Sequence, residues 1–546
     1  MNRQDMWDRL VRQPEVDVAV VGGGASGLGV ALEAAHQGAR VALFESHDFA
    51  SGTSSRSTKL LHGGVRYLAQ GHWSLVREAL AERSAILRMA PHLAHPLPFV
   101  LPIYREWERW FYGMGLMAYD GLAAWGPGAG GLGRTEWLGR AETLRRVPGL
   151  RPEGLRGGIQ YWDAQFDDAR LALAVAHAVA AAGGLLLNRA PVVALQHTPG
   201  GPAGRRVSGV VVRDALTGRS LNVRAALVVN AAGVWVDAVR ALDAVEAPVS
   251  PLVTPSQGIH LVVDAAHCPG AHAVLVPKTE DGRVLFAVPW QGKVLLGTTD
   301  TPQSECPREP VATAAEVEFL LKESSRVLRL GVTRADVRSV WAGLRPLVRT
   351  PAGAGVSTAR VSREHVVVRS PTGLVTVAGG KWTTFLSMAR DVIAHCRVWG
   401  WRPSGRLAHA PDAEVCGRGR IAAGGGPVTV NTPPVQLIPP LQGTPPDPVS
   451  FDAATPQEST LGPDPTASDV RHAARCDMAV TVEDVLARRH RWLFRDAEAA
   501  ARLAPAVASV LKEETGIDPE LPSFLRLCAR YRELPSDNSE KTAECG

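Results

Sequence analysis

Several features that mark specialised protein classes are missing from this sequence. Its seven cysteines are scattered, odd in number and without a Cys-x-x-Cys pair, which argues against a disulfide framework or a zinc site and favours a reducing compartment. His92 and His95 have no third ligand nearby, so we expect no bound metal. The longest apolar helical stretch, 171–182, is too short to cross a bilayer, and residues 1–16 lack the apolar core of a secretory signal. Any membrane association should therefore be peripheral.

A strong charge of one sign is also absent. The formal net charge of the 546 residues is +5, which is too mild for a dedicated nucleic-acid binder but suits an anionic substrate or an anionic membrane surface. Hydrophobic residues make up 45% and charged residues 21%, as in ordinary globular proteins, and the length predicts two or three domains. We therefore expect no nucleic-acid partner.

The clearest positive pattern lies in the first 45 residues. An apolar run at 16–21 predicts a strand, the run GGGASG follows at 22–27, an alanine-rich helix extends to about residue 37, and a second strand is predicted at 40–45. GGGASG fits the Gly-x-Gly-x-x-Gly fingerprint in the strand-turn-helix context that gives this fingerprint its meaning. The sequence therefore predicts a dinucleotide-binding βαβ unit; the alternative is a glycine-rich turn that binds no nucleotide.

The residues of this unit have distinct expected roles. Gly22 permits the tight turn, Gly24 lets a pyrophosphate approach the backbone, and Gly27 lets the helix pack closely on the strand. The helix N-terminus presents N–H groups to the pyrophosphate, and Glu45 is placed to accept hydrogen bonds from a ribose diol. These features do not separate FAD from NAD.

A hydroxyl-rich segment after Glu45 favours FAD. Residues 51–59 place six hydroxyl groups and two cations in nine positions, and they lead directly into LLHGGVRYL at 60–68. Such a segment can wrap a second, permanently bound diphosphate or the edge of a flavin. The apolar pair beside His, Gly-Gly, Arg and Tyr suggests an active-site floor. The alternative is an exposed serine-rich loop.

Beyond this unit, helical and strand patterns alternate. Helices are predicted at 74–89, from the expected caps Asp167 and Asp168 to 182, at 314–330 and at 381–398, and strands at 192–195, 207–213, 220–229, 260–263, 273–276, 284–288, 293–297, 364–369 and 374–378. Residues 411–467, dense in Pro, Gly, Ala and Thr, predict a poorly ordered linker, and helical patterns return at 482–500 and 505–515. The aromatic- and glycine-rich segment 104–125 fits neither pattern well.

Short motifs along the chain resemble one known family. They are GTSSRSTKLLHGGVRYL at 52–68, DDARL at 167–171, NAAGVW at 230–235, GIH at 258–260, VPW at 288–290, LGTTD at 296–300, GLRPL at 343–347 and GGKWTT at 379–384. Together and in this order they resemble the FAD-dependent glycerol-3-phosphate dehydrogenases over residues 16–400, and the helical tail around DVLARR at 484–489 resembles the family's C-terminal domain. The chain departs from the family in its long Pro/Gly stretch and at Phe385, where a tyrosine is often expected.

The resemblance implies an α/β fold with three parts. These are a Rossmann-like FAD-binding domain of the glutathione-reductase and D-amino-acid-oxidase type, an antiparallel-sheet substrate domain and a C-terminal helical domain. Within an oxidoreductase region at 14–400, the expected FAD-binding parts are about 14–95, 155–250 and 340–400, and the expected substrate-domain parts are about 96–154 and 251–339. The linker at 411–467 and the helical domain at 468–546 follow.

The resemblance also implies an activity. It predicts oxidation of sn-glycerol 3-phosphate to dihydroxyacetone phosphate by hydride transfer to FAD, with electrons passed to a membrane quinone, in a cytoplasmic flavoprotein peripheral on the inner face of the cell membrane. Alternatives are an oxidase that uses oxygen, another FAD-dependent amine or 2-hydroxy-acid oxidoreductase, and a flavoprotein acting on tRNA, which the mild charge disfavours. The sequence does not fix the electron acceptor or the oligomeric state; a homodimer is one state to consider.

The substrate site is expected to be cationic because arginine binds phosphate oxygens in pairs. The resemblance implies substrate contacts from Arg66, Tyr67, His260, Arg345, Arg363 and Lys381. We favour His260 over His62 as the proton acceptor, since imidazole titrates near neutral pH, with Arg345 stabilising the alkoxide. The alternatives are a satisfied core histidine at 260 and a solvated arginine at 363.

The expected FAD contacts form a longer set from several motifs. They are Gly22, Gly24, Ser26, Gly27, Glu45, Gly52, Thr53, Ser54, Ser55, Ser57, Val193, Ala232, Gly233, Asp300, Gly380, Lys381, Trp382 and Thr383. Lys381 follows two glycines at a helix start, where a lysine suits a bound anion.

Two segments are candidates for membrane contact. Residues 488–495 mix basic and aromatic side chains, which suits anionic lipid or a solvated helix face. The aromatic cluster at 107–112 is the second candidate, with a place in the core as its alternative.

Overall fold

The computed structural model describes residues 1–64, 73–124, 132–244, 250–280, 282–349, 365–403, 415–416, 429–430 and 465–536. Arg66, Tyr67 and Arg363, and most of the predicted linker, lie outside the described residues.

The strands are numbered in chain order. They are β1 (Glu15–Val21), β2 (Val41–Phe44), β3 (Leu60–Leu61), β4 (Ala94–Ile103), β5 (Glu136–Gly139), β6 (Gly157–Phe166), β7 (Leu185–Leu187), β8 (Val192–Pro199), β9 (Arg205–Arg213), β10 (Ser220–Asn230), β11 (Val253–Asp264), β12 (Ala273–Val276), β13 (Leu285–Trp290), β14 (Lys293–Gly297), β15 (Thr301–Pro302), β16 (Val337–Val348), β17 (His365–Arg369), β18 (Val375–Gly379), β19 (Val415–Cys416) and β20 (Thr429–Val430).

Helices alternate with these strands in the first 400 residues and predominate after residue 465. The α-helices are Arg3–Arg12, Ala25–His36, Trp73–Met89, Glu106–Ala124, Arg140–Arg146, Asp168–Ala181, Val236–Ala241, Ala314–Val327, Phe385–Val398, Ala467–Asp477, Trp492–Arg495, Ala497–Thr515 and Leu521–Arg532. A π-helical segment spans Asp484–Arg489. None of the described helices is long and apolar enough to cross a membrane.

The first sheet has the predicted nucleotide-binding topology. Its strand order is β17-β18-β10-β1-β2-β7, and β1 runs parallel to both β10 and β2. The β8–β9 hairpin joins antiparallel to β10. Six of the seven β1 residues are buried, as expected of a central parallel strand covered on both faces. The predicted Rossmann-like α/β domain is therefore confirmed.

The second sheet is largely antiparallel, as predicted for the substrate domain. Its order is β15-β11-β14-β13-β12-β4-β6-β3, with β16 paired to β11 and β5 to β6. The long β11–β16 ladder places His260 opposite Trp341 and Ser256 opposite Arg345. β6 falls within the 155–250 range that we assigned to FAD binding, yet it pairs here with β4.

The C-terminal helices pack on the second sheet and also reach the first. Trp341 on β16 joins one apolar core with Trp492, Phe494 and Tyr531. The sequence pattern predicts that a helix begins at Pro505. The helix Ala497–Thr515 instead continues through Pro505, because the flanking turns are buried against this core. Interior proline costs a helix about 3 kcal/mol, so tertiary packing outweighs local preference here.

The prediction of a lipid-facing or solvated arginine segment at 488–495 is wrong. Arg488, Arg489, Arg491 and Arg495 are all at least 93% buried. Carboxylates compensate the first two, since both form short ion pairs with Asp48. A buried charge needs such a partner, and Asp48 lies 440 residues from Arg488 in the sequence, so the local pattern does not indicate the pairing.

The unplaced segment at 104–125 forms the helix Glu106–Ala124. Its glycines weaken the helical signal, but Gly113 is needed because a Cβ there would overlap the Trp137 ring. The helix packs on β6 and β4, and its Tyr119 is almost fully buried.

Candidate active site

A cavity of about 620 Å³ lies at the carboxyl edge of the first sheet. The turns that follow β1, β10 and β18 all line it, through residues 22–24, 231–233 and 379–383. Parallel strands bring their carboxyl ends to the same edge, which is where α/β sheets bind ligands. The other wall comes from β11 and β16 of the second sheet, so the cavity lies between the two sheets.

The glycine turn is closed too tightly for side chains. Gly22 has φ +109°, and a Cβ there would lie 2.6 Å from the Ala231 carbonyl oxygen. A Cβ on Gly27 would overlap the Gly22 carbonyl oxygen, so the helix sits directly on the turn. Glu45 closes the arrangement by accepting a hydrogen bond of 2.7 Å from the Gly23 N–H. Burial raises the pKa of Glu45, while hydrogen bonds from backbone N–H groups oppose that shift.

The hydroxyl-rich loop is fastened to its neighbours. Thr53 Oγ1 donates to the Leu344 carbonyl at 2.6 Å. Ser54 Oγ accepts from the Ala25 N–H at 2.9 Å, at the start of the nucleotide-binding helix, and the Ser54 carbonyl accepts from Trp382 Nε1 at 2.7 Å. Such anchoring does not fit a freely exposed serine-rich loop.

His260 is buried without a full set of hydrogen bonds. Its Nε2 lies 3.0 Å from Thr58 Oγ1, whereas its Nδ1 is buried with no hydrogen-bond partner among the described residues. The ring stacks on Trp341 at 4.2 Å between centroids. Burial lowers the pKa of His260 well below its ordinary value, and the charges of Lys59 and Arg345 lower it further. This histidine is therefore neutral, and it is not a satisfied core residue.

Arg345 is held in the cavity wall by residues 298–300, which directly follow β14. Its Nη2 donates to Thr298 Oγ1 and to the Thr299 carbonyl, both at 3.0 Å. Asp300 lies 3.4 Å from Nη1 and accepts a short hydrogen bond from Ser256. The guanidinium is thus oriented from one side by an acid and two oxygens, with the cavity on the other.

Most of the predicted site residues meet at this cavity. Those that line it are Gly22, Gly24, Ser26, Glu45, Gly52, Thr53, Ser54, Ser57, His62, Ala232, Gly233, His260, Arg345, Gly380, Lys381, Trp382 and Thr383. For each described residue that was predicted but does not line the cavity, the structure shows why it does not. Gly27 lies under the turn, Asp300 lies behind Arg345, and the Ser55 carbonyl binds Lys59 at 2.7 Å. Val193 is 40% exposed, and its neighbours Pro191 and Val192 line the cavity instead.

Sequence reasoning missed four lining residues of some consequence. Arg56 lines the cavity with a 2.6 Å ion pair to Glu309, and Thr58 is the hydrogen-bond partner of His260. Both belong to the SSRST run, so their position beside predicted contacts was an available signal. Trp235 packs against Gly52, where a Cβ would lie 2.9 Å from the indole. Arg308 lies on a loop without any motif, and no local signal marks it.

Comparisons with known proteins agree with one another. Residues 17–389 match the family described as FAD dependent oxidoreductase, and residues 451–521 match the C-terminal domain of alpha-glycerophosphate oxidase. The mitochondrial glycerol-3-phosphate dehydrogenase of Mus musculus is 42% identical over 402 residues, which are 72% of this chain and 54% of that protein. That of Arabidopsis thaliana is 37% identical over 538 residues, 91% of this chain and 83% of that protein. The chain spans about half the length of its mammalian relatives.

Solved structures give the same picture. A Bacillus halodurans glycerol-3-phosphate dehydrogenase complexed with FAD has a TM-score of 0.68 and 26% identity, covering 97% of this chain and 98% of that one. A Mycoplasma pneumoniae L-alpha-glycerophosphate oxidase has a TM-score of 0.54 at 17% identity, which supports the fold alone.

The residues at the cavity fit an FAD molecule. Backbone N–H groups at the start of the helix Ala25–His36, with the hydroxyl group of Ser26 nearby, supply the donors that a diphosphate needs. Glu45 lines the same end and offers a carboxylate to a ribose. Gly24 brings no side chain to this end of the cavity, and there is little space for one, because a Cβ there would lie only 3.0 Å from Ser54 Oγ.

Proposed function

Because the chain belongs to the FAD-dependent oxidoreductase family, with glycerol-3-phosphate dehydrogenases among its relatives, we propose that it oxidises sn-glycerol 3-phosphate to dihydroxyacetone phosphate. One observation carries the proposal. A neutral histidine and an oriented arginine, His260 and Arg345, share one cavity with the dinucleotide turn at 22–24. A secondary alcohol bearing a phosphate needs these groups within reach of a flavin.

The reaction breaks the C2–H bond and the O–H bond of the hydroxyl group on C2. The hydrogen on C2 leaves with its electron pair, the hydroxyl proton leaves to a base, and the C2=O double bond forms. FAD, when bound, supplies the acceptor for the hydride. The chain itself must bind the phosphate, orient C2 and receive the proton.

His260 suits the proton-accepting role. Its depressed pKa keeps the imidazole uncharged at neutral pH, so that a ring nitrogen is free of a proton and able to take one. The contact with Thr58 Oγ1 occupies Nε2, and Trp341 fixes the plane of the ring. The base is therefore held in a single orientation before substrate binds.

Cationic side chains suit the phosphate and the developing alkoxide. Arg56, Arg308, Arg345 and Lys381 all line the cavity. Arg345 lies on the same β11–β16 ladder as His260, and can stabilise negative charge on the substrate oxygen while the proton moves to the imidazole. Lys381 stands at the start of the turn Trp382–Thr384, where an anion is favoured.

Anaerobic reduction of the bound flavin tests the proposed reaction. Adding glycerol 3-phosphate to the purified holoprotein without oxygen should bleach the visible flavin band, whereas glycerol, which lacks the phosphate, should leave it unchanged. Lactate and glycine serve as controls for 2-hydroxy-acid and amine substrates. A flavin that is reduced by one of these and not by glycerol 3-phosphate would replace the substrate assignment.

We infer that the electrons leave to a membrane quinone, and that the protein binds the inner face of the cell membrane peripherally. The support is an exposed apolar stripe. Trp107, Trp110, Phe111, Met114 and Met117 lie three or four positions apart on the helix Glu106–Ala124 and are each more than half exposed. Aromatic and apolar side chains on one helix face suit the membrane interface. An oxidase would instead form peroxide in step with turnover and ignore a soluble quinone.

Binding to lipid vesicles tests this stripe. The double variant Trp110→Ser/Met114→Ser should bind phosphatidylglycerol vesicles at least about tenfold more weakly than the wild type, because each buried apolar side chain contributes about 1.5–3 kcal/mol. Val398→Ser is the matched control, since Val398 is 62% exposed on a different helix. Equal flotation of all three proteins would remove the membrane assignment from this helix.

A further inference from the structure

Lys59 is a fully buried lysine that the reaction outlined above does not use. Its ammonium donates to the Ser55 carbonyl and to Asp168 Oδ2, both at 2.7 Å. It also lies 4.6 Å from the centroid of the Trp341 ring. Removing a lysine from water costs several kcal/mol even when it is paired, so the burial of Lys59 calls for an explanation.

Trp341 connects this ammonium to the proposed proton acceptor. The same indole that Lys59 approaches stacks on His260, with an interplanar angle of 23°. Among the described residues, Lys59 and Arg345 are the charged groups that act on His260, and both disfavour a positive imidazole. No carboxylate offsets them at the ring.

The surroundings of Lys59 contain one further cation and two carboxylates. Asp168 accepts from Lys59 and also lies 3.1 Å from Arg491 Nη2, which comes from the C-terminal domain. One carboxylate thus faces two cations. Asp167 is the further acidic group nearby, 3.9 Å from Arg491 Nε and itself partly solvated.

We propose that Lys59 is a positioning residue for His260: its buried charge, shared with Asp168 and Arg491, keeps the imidazole unprotonated and able to accept the substrate proton. The inference rests on the proposed function. Burial lowers the pKa of Lys59 to about 7, so its charge is fullest at acidic pH. That is the range in which an ordinary histidine would take up a proton and stop acting as a base.

The pH dependence of kcat/KM tests the proposal. Lys59→Met should move the acidic limb upward by about one pH unit, because a nearby like charge shifts a pKa by about one to three units. Lys59→Arg should restore the wild-type limb. Lys293→Met is the matched control, since Lys293 is also buried and paired with a carboxylate, Asp264 at 2.7 Å, but contributes no charge at His260.

Thermal unfolding gives a readout that does not depend on turnover. The pKa of Lys59 is lowered from 10.5 to about 7, so the folded state loses stability as pH falls through that window. The difference in Tm between wild type and Lys59→Met should therefore shift in favour of the wild type as the pH rises from 7 to 10.

The outcomes separate this inference from the proposed function. If glycerol 3-phosphate does not reduce the wild-type flavin, the proposed function is wrong. If it reduces the flavin but the acidic limb of Lys59→Met does not move, the proposed role of Lys59 is wrong. Should Lys59→Met not fold, Lys59→Gln keeps hydrogen-bond donors for the Ser55 carbonyl and Asp168 without the charge, and it should shift the limb in the same direction. An unmoved limb in that variant overturns the proposal too.

Discussion

Replacing His260 with glutamine should lower kcat for glycerol 3-phosphate by about 10²–10⁴-fold, the usual contribution of a positioned general base. Glutamine can keep the hydrogen bond to Thr58 but cannot accept the substrate proton. The site is shaped around an imidazole, since Gly297 has no room for a Cβ beside the ring. Stopped-flow reduction of the flavin, followed without an added acceptor, isolates this step from later electron transfer.

The control for this variant is a histidine that lies in the first sheet, outside the cavity lining. His197 is partly buried and lies 2.9 Å from Asp243, and it does not line the cavity. His197→Gln should therefore reduce the flavin at the wild-type rate. If His260→Gln also keeps a near-normal rate and pH profile, the proton must go elsewhere, and His62 is the next candidate because it lines the same cavity.

The parts of the fold that could be predicted are those formed by residues close together in the sequence. The first strand, turn and helix are contiguous, and their periodicity and glycine spacing indicate them without tertiary information. Only residues 260–263 of β11 were predicted as strand, because the earlier part contains Pro255 and Gly258. That part is nevertheless strand, since β16 pairs with it along almost its whole length.

The parts that could not be predicted depend on partners far away in the chain. Arg491 and the Ser55 carbonyl are 436 residues apart and form one hydrogen bond of 2.8 Å. Seen alone, a run of arginines indicates a solvated face, because isolated charges avoid the interior. Likewise Asp168 reads as a helix cap beside Asp167, and only the fold shows that it binds Lys59 instead.

Asp48 is one of the residues that connect the C-terminal domain to the nucleotide-binding domain. It is 1% exposed and forms short ion pairs with both Arg488 and Arg489, while Asn188 donates to it at 3.2 Å. Arg488 has further carboxylate partners in Glu483 and Asp484. Among the described residues Arg489 forms an ion pair with Asp48 alone, and its remaining hydrogen bonds go to backbone carbonyls.

Asp48→Asn should therefore lower the free energy of unfolding by about 3–5 kcal/mol, because it leaves a buried guanidinium without a matching charge. Urea denaturation measures the loss, and Glu514→Gln is the control, since Glu514 pairs with the exposed Arg475 and should change little.

If the C-terminal helices detach first, proteolysis of Asp48→Asn should release them while the flavin remains bound. A single cooperative loss of flavin and helices would instead mean that the cluster around Asp48 also maintains the nucleotide turn, whose Glu45 lies three residues away. Wild-type stability in Asp48→Asn would contradict the buried ion pairs themselves.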